Sequence, residues 1–180
     1  MEYQGLIEDD VNNVRALNRA WLRLAANRPE RFAALDGQRR RRLADAPFLL
    51  FTLRENDLQL WSTLLSDRPQ QDLFAACPDA GQRELQVACL AWLWELARRN
   101  PYVARIVAGA PLPWCERVAA YPLVRLLRNA ADADLLRSRF RVDSAAHHRL
   151  LMRGGSAARA ARSAAQVAAM QAMLTAAEFT

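Results

Sequence analysis

The sequence predicts an all-α fold, with a single globular multi-helix domain around a buried central helix at about residues 82–99. The run from Leu85 to Leu96 is apolar at helical spacing on more than one face, which is typical of a helix buried on all sides. Glycine is scarce, with 6 in 180 residues, and alanine is abundant, which favours helices over a β-sandwich. We divide the chain into a helical globular domain, 1–153, and an Ala/Arg-rich C-terminal helix, 156–180, which is either docked on the domain or partner-binding.

The N-terminal part predicts an amphipathic helix that Asp9 or Asp10 caps. Arg15, Arg19 and Arg23 step by four along one side of it, and a solvated surface is the simplest interpretation of that spacing. The apolar face steps by three and four residues and consists of Val11, Val14, Leu17, Trp21 and Leu24.

Four consecutive arginines, Arg39 to Arg42, follow the turn signal Asp36–Gly37. Adjacent side chains on a helix point about 100° apart, so these four cannot share a face. They could contact phosphate or an acidic partner. A short solvated segment is the favoured interpretation.

Residues 47–65 form the second large apolar region. Two helices joined at the polar stretch Arg54–Asp57 are favoured, because Leu58, Trp61 and Leu64 fall on one helical face. A β-hairpin is the alternative, since the apolar residues from Leu58 onward also alternate.

The central helix is predicted to end at Asn100, because the residue before a proline is disfavoured in the α conformation. Asn100 can also cap the next helix, with Pro101 at its first position. Trp92 and Trp94 are expected to pack in the core, as most large aromatic side chains do.

Short helices are predicted after the central helix at residues 102–107, 114–118 and 123–127. The loop Gly109–Pro113 and the break at Tyr121–Pro122 separate them.

Two further helices precede the C-terminal one. The first carries the apolar residues of 135–140, with an aspartate just before it as its cap. Asp143 or Ser144 caps the second, which Gly154–Gly155 ends.

The net charge of +6 favours binding of phosphate or of an acidic surface. All 25 basic residues are arginine, however, and exclusion of lysine from an alanine-rich chain is typical of coding bias in a GC-rich genome. Arginines that bind phosphate should converge on one surface, whereas arginines that reflect coding bias should scatter beside acids. The candidate contacts to nucleic acid or to an acidic partner are Arg39, Arg40, Arg41, Arg42, Arg149, Arg153, Arg159 and Arg162.

The sequence predicts no catalytic, metal or cofactor site. His147 and His148 diverge on a helix, so they cannot readily chelate one metal ion, and a surface location is favoured for them. Cys89 is interpreted as a small buried hydrophobe, while Cys115, after a proline-rich loop, could be partly exposed. The three cysteines have neither metal-ligand nor disulfide spacing. An active site assembled from distant residues stays open, although a protein without catalysis is favoured.

These observations favour a non-catalytic helical protein-interaction or regulatory module of a bacterial cytoplasm, with a protein partner or self-association. The alternative is a nucleic-acid-binding transcriptional regulator that uses arginine patches. No signal peptide is expected, because the sequence starts with acidic residues, and no apolar run approaches the ~20 residues of a membrane span. The candidate interface is a stripe on the C-terminal helix formed by Val167, Met170, Met173 and Leu174.

The order of motifs in part of the N-terminal half resembles that of a known protein family. It comprises Leu17–Asn18, Trp21–Ala25, Phe32–Leu35, and Leu43–Ala44 followed by a proline and an apolar run. Over about a quarter of the chain, this layout is similar to the D subunit of the bacterial flagellar master regulator. The resemblance implies a helical, DNA-bound transcription factor, and it carries no site residue over to this chain.

Overall fold

The computed structural model describes residues 5–26, 35–66, 79–140 and 144–178. Within these ranges the chain forms nine helices and one pair of short strands, which confirms the all-α prediction. The sequence also predicts a short helix that starts at Pro29 and carries Phe32 and Leu35, and most of that segment lies outside the described residues. The helices are α1 (Glu8–Ala26), α2 (Gly37–Ala44), α3 (Leu58–Leu64), α4 (Ala80–Arg99), α5 (Pro101–Ala108), α6 (Leu112–Ala120), α7 (Leu123–Ala130), α8 (Ala145–Arg153) and α9 (Arg159–Glu178). The strands are β1 (Phe51–Thr52) and β2 (Arg137–Ser138).

The predicted central helix is α4, and α1, α5, α6 and α7 pack around it. Asp79 caps its first turn, where the side chain accepts a hydrogen bond from the Gln82 backbone at 2.8 Å. The prediction that this helix is buried on all sides is wrong, because Ala88 and Glu95 are exposed. The residues buried by the surrounding helices are Leu85, Gln86, Cys89, Leu90, Leu93, Leu96 and Ala97.

The two tryptophans of α4 lie at the rim of the core, where they are half-buried. The indole nitrogen of Trp94 donates a hydrogen bond to the Tyr121 carbonyl at 2.7 Å. The Arg98 guanidinium lies 4.6 Å from the centre of the same ring, in a cation–π contact. Both contacts suit an aromatic side chain with one polar edge at the surface.

Helix α1 buries Val14, Leu17 and Trp21, as its spacing predicts. Neither Asp9 nor Asp10 occupies the N-cap position, because α1 starts at Glu8, but the Asp10 carboxylate accepts a hydrogen bond from the Ile7 backbone at 3.1 Å. Asp10 lies inside the first turn and is buried, with its carboxylate 2.6 Å from the Arg99 guanidinium at the end of α4. Asp10 therefore bonds both the start of α1 and the arginine at the end of α4.

The first half of residues 47–65 is not the predicted helix. Phe48 to Leu53 is irregular, with bends at Phe48 and Leu50, and contains the two-residue β1, and all of its residues except Thr52 are buried. β1 pairs antiparallel with β2, so the alternative of a local hairpin is also wrong. A segment whose side chains are buried in several directions lacks the polar face of an amphipathic helix, and its peptide groups find partners far along the chain.

Asn18 on α1 supplies several of those partners while fully buried itself. Its amide nitrogen donates to the carbonyls of Phe48 and Ala44 at 2.9 and 3.3 Å, and its oxygen accepts from the Leu50 backbone at 2.9 Å. The Asn18 side chain thus satisfies backbone groups of Phe48 and Leu50, which precede the part of the segment that pairs with β2.

The second half of the same region is helical, as predicted. Asp57 caps α3 by accepting a hydrogen bond from the Leu60 backbone at 3.0 Å. Trp61 is fully buried, and its indole nitrogen donates to the Arg54 carbonyl at 3.0 Å. Its ring meets Trp114 of α6 edge-on, with centroids 5.0 Å apart.

The predicted helix at 135–140 is wrong, because this stretch is irregular around the short β2. Leu135 and Phe140 are nevertheless buried. Gln86 of α4, itself fully buried, donates to the Ala133 carbonyl at 2.9 Å and accepts from the Leu135 backbone at 3.1 Å. A buried polar side chain therefore replaces the hydrogen bonds that a helix would have made.

Asn100 ends α4 and caps α5, as predicted: its side chain accepts from the Tyr102 and Val103 backbone, both at 3.1 Å. Gly109 ends α5 in the left-handed conformation, with φ of 61°. Two prolines, at positions 111 and 122, precede α6 and α7.

Helices α8 and α9 pack against each other as a hairpin. The side chain of Ser144 caps α8, and Gly154 follows its last residue, as predicted. Along α9 the buried residues are Ala165, Ala169 and Met173, spaced four apart. Among the described helices, none combines the length and the apolar character needed to cross a membrane.

Candidate functional site

The structure places arginines from two helices around one surface groove of about 530 Å³, which we call the arginine groove. It runs between α1 and α2, which pack side by side. Its described lining residues are Ala16, Arg19, Leu22, Arg23, Arg40 and Arg41.

Helical spacing explains the contribution of α1 to the arginine groove. Arg19 and Arg23 are four residues apart and therefore lie on the same side of the helix. Leu22 is buried, and together with Ala16 it forms an apolar floor between the charged side chains. The groove therefore combines apolar surface with cationic edges.

The arginines of the groove from α2 are presented by a capped helix. The Asp36 carboxylate accepts hydrogen bonds from the Gln38 and Arg39 backbone at 2.9 and 2.7 Å. The bond from the Arg39 backbone holds the pKa of Asp36 below its ordinary value. The four consecutive arginines spread around α2, as the sequence predicts, and Arg40 and Arg41 reach the groove.

The charges of the arginine groove are only partly neutralised. Arg19 lies 3.6 Å from the Asp45 carboxylate, with 55% of its side chain exposed, and such surface pairs are weak. Arg23 and Arg41 are exposed and form no ion pair with any residue that the structure describes. Within the part of the chain that the structure describes, these two guanidinium groups have no carboxylate partner and could bind an anionic ligand.

A second surface groove, of about 720 Å³, lies between α8 and α9, and we call it the hairpin groove. Met152 is 66% exposed there, and His148, Arg149 and Arg153 are exposed beside it. Its described lining contains no carboxylate and consists of Ala145, His148, Arg149, Met152, Arg153 and Ala164.

Of the sequence-predicted contacts, Arg40 and Arg41 reach the arginine groove, and Arg149 and Arg153 reach the hairpin groove. The remaining four lie elsewhere: Arg39 pairs with Asp36 at 4.0 Å, Arg42 is half-buried, Arg159 is exposed at the start of α9, and Arg162 donates to the Ser156 carbonyl at 2.7 Å. Sequence reasoning missed Arg19 and Arg23 as site residues. Their spacing was visible, but their proximity to α2 follows only from tertiary packing.

Many of the other arginines lie beside acids on the same or another element. These pairs are Arg15 with Asp45, Arg54 with Asp57, Arg83 with Asp132, Arg99 with Asp10, Arg137 with Asp134, and Arg139 with Glu55. The arginines thus fall into two groups. Those of the first group are scattered and paired with acids, and those of the second line the two grooves.

The predicted interface stripe on α9 is divided by the packing of that helix. Met173 is buried against Gly109, Met170 packs partly on the core, and Leu174 is half-buried. Val167 is 48% exposed. The stripe therefore presents Val167 to solvent, while Met173 serves internal packing.

A buried polar cluster lies away from both grooves. Arg139 donates hydrogen bonds to the carbonyls of Leu49 and Phe51, each at 3.0 Å, and to the carbonyl of Ala108. The Glu55 carboxylate lies 3.9 Å from the guanidinium and accepts a hydrogen bond from the Leu53 backbone at 3.0 Å. The cluster holds the Phe48–Leu53 segment in place through side-chain bonds to its peptide groups.

Burial shifts the titratable groups in and near this cluster. Burial raises the pKa of Glu55 and of the Cys89 thiol, and it raises the pKa of Cys115 to about 12. Cys115 is fully buried, so the expectation that it is partly exposed is wrong, while Cys89 is the small buried hydrophobe expected. Neither thiol has the lowered pKa of a nucleophile. Cys77 lies outside the described residues.

The two histidines lie in different environments. His148 is exposed as expected, but His147 is buried, with its ring centre 6.4 Å from that of Phe140, so a surface location is wrong for it. Within the described ranges, no three histidine, cysteine, aspartate or glutamate side chains are grouped to hold a metal ion.

Comparison with known proteins gives no match: no family model, no curated protein and no solved structure is similar to this chain. The resemblance of residues 17–65 to the flagellar regulator subunit therefore stays a prediction.

Proposed function

We propose that this protein is a non-catalytic interaction module, active in a bacterial cytoplasm, that binds an acidic segment of another protein in the arginine groove. The observation that carries the proposal is the combination of Arg23 and Arg41 with the apolar floor of Ala16 and Leu22. A volume of about 530 Å³ is within the range of ligand pockets and suits a few side chains of a partner.

The apolar floor favours a protein segment over a phosphate backbone. Guanidinium groups bind carboxylate and phosphate alike, in planar, paired hydrogen bonds. A phosphate backbone, however, has no apolar group to place on Ala16 and Leu22. An amphipathic segment with a leucine or similar residue between carboxylates would use both parts of the arginine groove, as helices do in peptide-binding grooves.

The proposal is tested with a labelled peptide that carries a central leucine flanked by glutamates, titrated with the purified protein by fluorescence anisotropy. Arg23→Glu and Arg41→Glu should each weaken binding at least tenfold. Arg117→Glu, which changes an exposed arginine on α6, is the matched control and should change the Kd less than twofold. Replacing the central leucine of the peptide by serine should weaken binding to the wild-type protein.

Equal weakening by all three protein variants would show that only net charge matters and would contradict a defined groove. A peptide that does not bind to the wild-type protein would do the same.

The second candidate function is the nucleic-acid-binding regulator, which the convergence of arginines from α1, α2 and α8 favours. A duplex DNA titrated across a salt series separates the two functions. DNA binding that falls steeply with rising salt, without binding of the peptide, would replace the first proposal with the second.

A further inference from the structure

A third surface groove, of about 280 Å³, lies between α1 and α4, and we call it the α1–α4 groove. Ala16 and Arg23 line both this groove and the arginine groove. These two residues are about two helical turns apart, so they lie on the same side of α1. The two grooves therefore adjoin each other across that side of α1.

The positions of the other lining residues along α1 agree with this arrangement. Successive residues of a helix are rotated by about 100°, which places Leu22 on one side of the line through Ala16 and Arg23, and Leu17 and Leu24 on the other. Leu22 lines the arginine groove, whereas Leu17 and Leu24 line the α1–α4 groove. Ala16 is small and exposed, so a partner chain can pass over α1 at this point.

The floor of the α1–α4 groove is apolar. Leu17 and Leu85 are buried, Leu24 is half-buried, and Ala88 is exposed. At the start of α4, a Cβ added at Gly81 would lie 3.0 Å from a methyl carbon of Leu24, so the two helices pack closely there. The groove therefore offers an apolar surface to a side chain of a partner.

Two opposite charges line the same groove. Arg23 and Glu84 are both exposed, and neither forms an ion pair within the described ranges of the chain. The Glu84 carboxylate repels phosphate and attracts a cationic side chain, whereas the arginine groove presents Arg23 and Arg41. Charge complementarity across the two grooves thus favours a partner segment that is acidic at one end and basic at the other.

Resting on the proposed function, we infer that the acidic partner segment continues over α1 at Ala16 into the α1–α4 groove, where it places an apolar side chain on Leu17 and Leu85 and a lysine or arginine against Glu84. Glu84 then sets the direction of the bound segment. A nucleic-acid backbone is anionic along its whole length and does not fit this charge pattern.

The width of α1 sets the length of chain that connects the two grooves. A helix with its side chains is about 10–12 Å across, and an extended chain covers about 3.3 Å per residue. About three residues therefore separate the two apolar side chains of the partner.

The test compares three labelled peptides by fluorescence anisotropy. The short peptide carries a leucine flanked by glutamates. The extended peptide adds a three-residue Gly/Ser spacer, a second leucine and a lysine, and the reversed peptide has a glutamate in place of that lysine.

The full-length protein is used as wild type, Arg23→Glu, Glu84→Lys, and Ala88→Trp, which fills the α1–α4 groove. Glu95→Lys is the matched control, because it makes the same charge change at an exposed position of α4 outside the described lining. Circular dichroism and thermal unfolding establish that each variant is folded.

The readout is the gain, defined as the Kd of the short peptide divided by the Kd of the extended peptide on the same variant. Wild type should show a gain of at least about fivefold, from burial of the second leucine and the new charge pair. Glu84→Lys and Ala88→Trp should each lower the gain to below about twofold, and Glu95→Lys should leave it at the wild-type value. The reversed peptide should bind more tightly to Glu84→Lys than to Glu95→Lys.

If binding of the short peptide depends on Arg23 but wild type shows no gain, the inference is overturned and the proposed function stands. The same holds if the gain persists in Glu84→Lys or Ala88→Trp, or if Glu95→Lys lowers it equally. If the short peptide does not bind to wild type, the proposed function fails and the inference fails with it.

Two other occupants of the α1–α4 groove would also overturn the inference. A dimer in analytical ultracentrifugation that Ala88→Trp dissociates would assign the groove to a second copy of the chain. Tighter binding of a duplex DNA than of the extended peptide at the same salt, lost in Ala88→Trp, would assign it to nucleic acid.

Discussion

The guanidinium of Arg139 lies 3.9 Å from the carboxylate of Glu55, with 10% and 5% of the two side chains exposed. The pair joins the residue that follows β2 to the turn after β1, and Arg139 also bonds three backbone carbonyls. Removal of either partner leaves the other charge buried without compensation. A substitution at Arg139 or Glu55 should therefore lower the free energy of unfolding substantially.

Arg139→Met should therefore destabilise the protein strongly. The change leaves Glu55 and three carbonyls without their partner, and losses of this kind cost about 3–5 kcal/mol. Urea unfolding measures the difference in the free energy of unfolding. Arg137→Met, which changes a residue of β2 two positions earlier that is 46% exposed in a surface pair with Asp134, is the control and should cost under about 1 kcal/mol. Equal costs would mean that Arg139 is not a buried anchor.

The pH dependence of stability should carry a signature of Glu55. Burial raises the pKa of this carboxyl above its ordinary value of 4.5, so folding favours its protonated form. Its contribution to stability is therefore fully present below about pH 4.5 and is lost as pH rises through the folded-state pKa. We expect the stability of wild type relative to Glu55→Gln to fall as pH rises from about 4.5. Urea unfolding of both proteins between pH 4 and 8 checks the sign. A relative gain with pH would mean that attraction to Arg139 outweighs burial.

Gly109→Ala should loosen the docking of α9. The left-handed φ of 61° costs a non-glycine residue roughly 1–2 kcal/mol, and an added methyl would overlap the side chain of Met173. With overpacking included, the expected cost is about 2–5 kcal/mol. Gly37→Ala, with no atom within 4 Å of the new methyl, should stay within about 1 kcal/mol of wild type. Unfolding curves and the protease sensitivity of α9 report the effect, and Met173→Ala should relieve the overlap in the double variant. No rescue would place the clash elsewhere.

Asn18→Leu should be more damaging than its similar volume suggests. The leucine leaves the Leu50 backbone donor and the Phe48 carbonyl unpaired inside the core, at roughly 1–3 kcal/mol for each unsatisfied group. Asn13→Leu, on the exposed side of the same helix, is the control and should change stability by about 0.5 kcal/mol or less. Both changes are read from urea unfolding, and a cost below about 1 kcal/mol for Asn18→Leu would show that water reaches these groups.

Elements whose signals are local could be predicted from the sequence. The central helix follows from its apolar spacing, and its end follows from Asn100 and Pro101, because capping and proline geometry involve only neighbouring residues. The cap at Ser144 and the break before α7 belong to the same class.

Elements decided by distant partners could not. Phe48–Leu53 and residues 135–140 read as helices by composition, but Asn18, Gln86 and Arg139 satisfy their peptide groups from far along the chain. No sequence pattern within the two segments predicts these hydrogen-bond partners. Asp10 shows the same limit, because its ion pair with Arg99 spans 89 residues.

The candidate site was foreseen only in part. The arginines of α2 were predicted as contacts because four of them are consecutive. The spacing of Arg19 and Arg23, in contrast, is the same as on any solvated helix face. Their role depends on α2 packing beside α1, which is a property of the assembled fold.

The large sequence separation between Arg139 and its hydrogen-bond partners also affects folding during synthesis. Arg139 donates a hydrogen bond to the carbonyl of Leu49, which lies 90 residues earlier in the chain. Ribosomes add about 5–20 residues per second, so the newly made Phe48–Leu53 segment waits roughly 5–20 s for this partner. Throughout that interval the nascent chain holds an apolar strand with incomplete hydrogen bonding, which is the kind of segment that chaperones bind. Synthesis of this protein therefore exposes its most buried segment early, and ribosome-bound chains that stop short of Arg139 should remain protease-sensitive.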